Sequence, residues 1–142
     1  MDPKILDFLT KNRVCSLTVL LPDGSPHASA LHCSHKSDPL TLFFSTENTS
    51  KKTQGLLDGK SAKASVVIGF SEEEWITLQM DGDIKAVFNP EDLKSIKAIH
   101  YLKHPDSKQY ENAPETLFLS FTPSWWRYTD YNTDPPSILK SE

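Results

Sequence analysis

Phe43-Phe44-Ser45-Thr46-Glu47-Asn48-Thr49-Ser50-Lys51-Lys52 is the stretch from which the fold is read. Leu40, Leu42 and Phe44 alternate with Thr41, Phe43 and Ser45, the period-two pattern of a strand. The alternation then breaks at Thr49 or Ser50, either of which can cap a helix carrying Lys51 and Lys52 in its first turn and ending at Gly59. Such a strand-to-helix corner can hold a phosphate, because free N–H groups, hydroxyls and ammonium groups converge there. The same residues taken alone equally describe a capped helix with solvated lysines.

Upstream of this stretch, Asp2-Pro3 reads as an N-cap and first helical residue, followed by Ile5, Leu6, Phe8 and Leu9 at helical spacing. From Val14 the period becomes two until Pro22-Asp23-Gly24-Ser25 supplies a turn. Pro26 to His35 then reads as one extended segment. Downstream, Ala64, Val66, Ile68 and Phe70 alternate, as do Ile76, Leu78 and Met80, and Gly82 marks a bulge or bend. Asn89-Pro90-Glu91-Asp92 starts a helix whose inner face is Leu93, Ile96 and Ile99, and His104-Pro105 ends it. Leu117, Leu119 and Phe121 form a last strand, leading into Trp125-Trp126-Arg127-Tyr128. These signals predict a mainly β fold with short helices: a single-domain, closed or partly closed antiparallel barrel over residues 1–133, with a loose tail over 134–142.

A chain of 142 residues with 37% hydrophobic and 24% charged residues can build one core, and its net charge of −4 gives no support to a nucleic-acid coat or an anionic-membrane anchor. Apolar runs are too short to span a bilayer, and the N-terminus lacks the series of basic, apolar and small residues of a secretory leader. A cytoplasmic protein is expected. Cys15 and Cys33 are then reduced core side chains rather than a disulfide. On an extended strand His27, Cys33 and His35 face one side and His32 the other, which matches no strong zinc pattern, so no metal is expected.

The order of helix, Pro-Asp-Gly hairpin, phenylalanine-rich strand ending in Ser45-Thr46, and Ser50-Lys51-Lys52 resembles the FMN-binding split β-barrel family related to pyridoxamine 5'-phosphate oxidase. The similarity covers roughly residues 5–130. It implies a split antiparallel barrel and an FMN phosphate held by Thr46, Ser50, Lys51 and Lys52, with lysine at position 51 where the family carries arginine or lysine. It also implies that Ser29, Ala30, Leu31 and His32 lie along the flavin ring. Thr77 and Gln79 then reach the flavin from a second protomer of a homodimer. Trp126 and Arg127 either border the ring or anchor the dimer. The resemblance points to an FMN-dependent oxidoreductase acting on a small molecule; some relatives bind haem or a deazaflavin, so a non-enzymatic flavin- or haem-binding barrel is the alternative.

The sequence departs from the oxidase at its substrate. Tyr101 and Ser107 stand loosely for the tyrosine and serine around the later helix, His104 stands where an arginine is sought, and Arg13 and Arg127 are the only arginines. A phosphorylated substrate is therefore not implied.

Overall fold

The structure, a computed structural model, describes residues 1–142. Helix α1 (Pro3–Lys11) begins at Asp2, whose carboxylate accepts from the Lys4 N–H at 2.8 Å, and buries Ile5, Phe8 and Leu9. Eight strands follow in one antiparallel sheet: β1 (Val14–Leu20), β2 (Pro26–His32), β3 (Ser34–Ser37), β4 (Leu40–Glu47), β5 (Ala62–Ile68), β6 (Ile76–Val87), β7 (Thr116–Asp130) and β8 (Ser137–Lys140). Their order is β2-β1-β5-β6-β7-β4-β3, with β8 added to β7. The inward residues of every long strand, among them Leu17, Val66, Met80, Leu119 and Phe44, share one core.

The curl that makes this sheet a half-barrel is set at one residue. The segment expected as a single strand over Pro26 to His35 breaks at Cys33: its N–H still donates to Arg13 O on the β1 side, while Ser34 already pairs with Phe43 of β4. One extended run therefore leaves one edge of the sheet and joins the other, bringing β2 alongside β4. Gly82 permits the second bend. A Cβ there would clash with Thr122 O, and the β6–β7 register shifts between Asp81 and Gly82, leaving Ser124 without an opposite residue.

Helix α2 (Pro90–Lys103) is capped by Asn89, whose Oδ1 accepts from the Glu91 and Asp92 N–H groups at 3.0 and 3.1 Å. Ile96 is buried on Phe43, Val87 and Phe118, with Leu93 and Ile99 packed alongside. Its last turn is tied to the barrel by Lys103, whose ammonium donates to Leu9 O and Asn12 O, both at 2.8 Å.

Two expectations are corrected. The helix expected after Thr49 is a single 3-10 turn over Lys51–Thr53, because Thr53 Oγ1 lies 2.9–3.3 Å from the carbonyls of Ser50, Asn48 and Glu47 and holds the chain in a tight loop. The tail expected to be loose carries β8, which pairs Ser137–Lys140 with Asp130–Arg127, and Ser141 bonds Trp126 through both backbone and hydroxyl.

Candidate functional site

A cavity of about 510 Å³ opens where β2, the end of β4 and the last turn of α2 converge, within the size range of small-molecule sites. Ala30, Leu31 and His32 form one wall and Thr46 another. Strand β2 is a sheet edge paired only with β1, so its other backbone edge is available to a ligand. A larger hollow of about 680 Å³ lies beneath the N-terminal half of α2, but none of its lining residues carries a buried polar atom without a partner. The smaller cavity includes such a residue, His100, and four of the sequence-predicted residues.

The tight turn over Lys51–Thr53 packs beside β2. Lys52 is 8% exposed, yet its ammonium makes neither an ion pair nor a hydrogen bond. Burial pushes its pKa below the usual amine value, with Glu47 opposing that shift. Lys51 is exposed. Ser50 Oγ donates to Glu47 O at 2.8 Å, so its proton is engaged within the loop. With one 3-10 turn in place of a helix, attraction for an anion here rests on the lysine charges and not on a helix dipole.

The remaining predicted residues lie elsewhere. Ser29 Oγ is buried without a hydrogen-bond partner and does not line the cavity. Thr77 and Gln79 lie on β6, Trp126 and Arg127 on β7, and none of them lines the cavity of their own chain. Gln79 pairs with Arg127 across the strands, and the guanidinium Nη2 donates to Gln79 Oε1 at 3.0 Å while Nε stays buried and unpartnered. Trp126 packs against the main core.

The sequence reading missed a histidine cluster at the other end of the cavity. His100 and His104 are each 1% exposed, and their ring centroids are 4.9 Å apart; His32 stacks on His104 at 4.8 Å. Nδ1 of His100 lies 2.7 Å from Ser34 Oγ, and His104 Nε2 donates to Cys33 O at 2.7 Å. Burial, and then the neighbouring His104, His32 and Lys103, push the His100 pKa down to about 4; burial likewise lowers that of His104. Both imidazoles are neutral at pH 7. The available signal was spacing: His100 follows Ile96 by four residues and continues the inward face of α2. No group of three or more His, Cys, Asp or Glu side chains is placed to share a metal ion.

The closing strand switch, the curled antiparallel sheet and the corner after β4 define a split antiparallel β-barrel. Residues 1–130 match the pyridoxamine 5'-phosphate oxidase family, and the chain belongs to it. Among solved structures it is similar to a protein of unknown function from Agrobacterium tumefaciens (TM-score 0.74, 18% identity), covering 88% of this chain and 55% of that one. This chain thus spans about half the length of that relative. It is also similar to a pyridoxamine 5'-phosphate oxidase-related, FMN-binding protein from Nostoc punctiforme (TM-score 0.74, 16% identity), covering 99% and 90% of the two chains. A haem-binding protein from Mycobacterium smegmatis shares the fold (TM-score 0.73, 14% identity, 94% and 54% covered). No protein of curated function matches the sequence.

Proposed function

We propose that this chain is a homodimeric, cytoplasmic oxidoreductase that binds FMN non-covalently. The observation that carries the reading is Lys52, a buried residue whose ammonium makes no ion pair or hydrogen bond within the chain, in a turn packed beside the open edge of β2. Lys52, Lys51 and Thr46 hold the phosphate. Ala30, Leu31 and His32 present backbone and side chains to the flavin ring, and Ser29 lies on the same strand. Bound FMN would supply hydride and single-electron chemistry, and the chain orients it and shields one face from water.

Thr77, Gln79, Trp126 and Arg127, which do not line the cavity of their own chain, are assigned to the flavin of a second protomer, as the family resemblance implies. The Gln79–Arg127 bond fixes the guanidinium as a unit for that contact. Free, buried Cys15 and Cys33 support a reducing compartment. No helix is long and apolar enough to cross a membrane.

The test is titration with FMN followed by absorbance and flavin fluorescence, with molar mass measured by light scattering. A saturable yellow complex of dimeric mass is expected; no measurable affinity, or a monomeric complex, contradicts the reading. Oxidation of reduced nicotinamide above the rate of free flavin separates an enzyme from a flavin store.

His32 favours a second reading, because an exposed imidazole on the cavity wall can ligate a haem iron. Titration with hemin discriminates: a Soret band that His32→Ala shifts supports haem, and unchanged spectra exclude His32 as a ligand.

A further inference from the structure

The outer side of α2 carries a groove that the proposed cofactor site does not use. Between the helix and the 3-10 segment Pro105–Tyr110 lies a hollow of about 460 Å³, lined by Lys94, Lys97 and Lys108. None of these lysines makes an ion pair, and Glu111 is the one carboxylate lining the hollow. Ala98, Leu102 and Pro105 also line it and are exposed. Leu102, 87% exposed, is the most exposed large apolar side chain in the protein. A partner that brings carboxylates together with an apolar group would relieve both the repulsion among the cations and the exposure of Leu102.

The loop between β5 and β6 has that composition. Phe70-Ser71-Glu72-Glu73-Glu74-Trp75 is exposed throughout and holds the only run of three carboxylates in the chain, bounded by aromatic side chains 61% and 54% exposed. Ser71 Oγ accepts from the Glu73 and Glu74 N–H groups at 3.2 Å each, and Asn132 Nδ2 donates to Glu74 O at 2.7 Å. Trp75 is tied at both backbone groups: its N–H donates to Ser71 O at 3.0 Å, and its carbonyl accepts from the Tyr131 N–H at 2.8 Å. Its φ of 53° is a left-handed backbone that a bulky residue rarely adopts. The loop is thus preformed, which lowers the entropy lost when it docks. Its carboxylates make no ion pair either, so loop and groove do not satisfy each other within one copy.

We propose that the groove on α2 receives the Phe70–Trp75 loop of a second copy of this chain, with its carboxylates against Lys94, Lys97 and Lys108 and an aromatic ring over Leu102. None of these residues is assigned to the flavin, so the contact is separate from the homodimer at the cofactor. Each copy offers both a loop and a groove, and a head-to-tail contact of this kind continues from copy to copy instead of closing at two. A six-residue loop covers less area than a stable interface needs, so the association is weak and salt-sensitive.

Sedimentation velocity on the full chain tests the contact. In about 50 mM salt the average mass of native protein should climb above its dilute value between about 10 μM and about 1 mM protein, and about 0.5 M salt should reverse the climb. Reversing the groove (Lys94→Glu, Lys97→Glu and Lys108→Glu together) or the loop (Glu72→Lys, Glu73→Lys and Glu74→Lys together) should weaken the association at least about tenfold. Mixing the two reversed variants should restore it, because each loop then meets a groove of opposite charge. Leu102→Ser, which keeps every charge, should weaken it about threefold. A native mass independent of concentration, association that survives in either reversed variant alone, a mixture that stays at the dilute mass, or an unchanged Leu102→Ser overturns the proposal. FMN affinity should stay within about twofold of native in every variant; a larger loss would place these residues at the cofactor and overturn it as well.

Discussion

Two lysines in this molecule are withdrawn from water, and they are answered differently. At the seam between α2 and α1, Lys103 donates to the carbonyls of Leu9 and Asn12 at 2.8 Å each, at the C-terminal end of α1 where a cation is favoured. At the corner after β4, the Lys52 side chain is buried along its stem, but its ammonium has no internal acceptor. Burial lowers the pKa of both. A desolvated ammonium with internal partners is part of the fold, whereas one without them is a charge held ready for a ligand.

The largest way to sharpen this contrast is acidification, which should break the α2 seam and leave the corner intact. His100 is neutral in the folded protein down to about pH 4 but protonates near 6.5 when unfolded, so the unfolded state binds more protons between those values. The stability it contributes is fully present above about pH 6.5 and is lost as pH falls towards 4, by about 3 kcal/mol over the window. His104 acts in the same direction. Urea denaturation across this range should show the slope, and His100→Phe should flatten it; an equally steep profile in the variant contradicts the assignment.

Next in size, Lys103→Met removes two charge-assisted bonds at the seam and should cost about 2 kcal/mol, roughly 4–8 °C in Tm. The ratio of FMN to riboflavin affinity should not change. At the corner the sign reverses: Lys52→Met relieves a buried charge and should raise the stability of the ligand-free protein by about 1 kcal/mol. A Tm below native for Lys52→Met would show that its ammonium has an internal role. The smallest effect belongs to Lys51, whose exposed ammonium should contribute about threefold to FMN affinity, measured in Lys51→Ala.

The corner was legible because everything that defines it is local. Alternation through Phe44, hydroxyls at Thr46 and Ser50, and adjacent lysines can be read within ten residues. Even there the helix was wrong, since Thr53 reaching back to Glu47 is a tertiary detail that periodicity does not carry. The caps at Asp2 and Asn89 were legible for the same reason. The switch at Cys33 was not: His-Ala-Ser-Ala-Leu-His-Cys-Ser-His reads as uninterrupted strand, and only closure of the sheet decides that Ser34 belongs to β4. The His100–Ser34 pair depends on that switch and joins residues 66 apart in the chain. Ile138 and Leu139 were hidden behind Asp134-Pro135-Pro136, whose turn chemistry reads as a loose end although the segment beyond it returns to β7.

The account stands or falls on what Lys52 grips. Titrating native protein and Lys52→Ala with FMN and with riboflavin isolates the phosphate, the one group the two flavins do not share. The variant should lose about ten- to a hundredfold in FMN affinity and stay within about twofold for riboflavin. Equal losses for both flavins, or none for either, would contradict it.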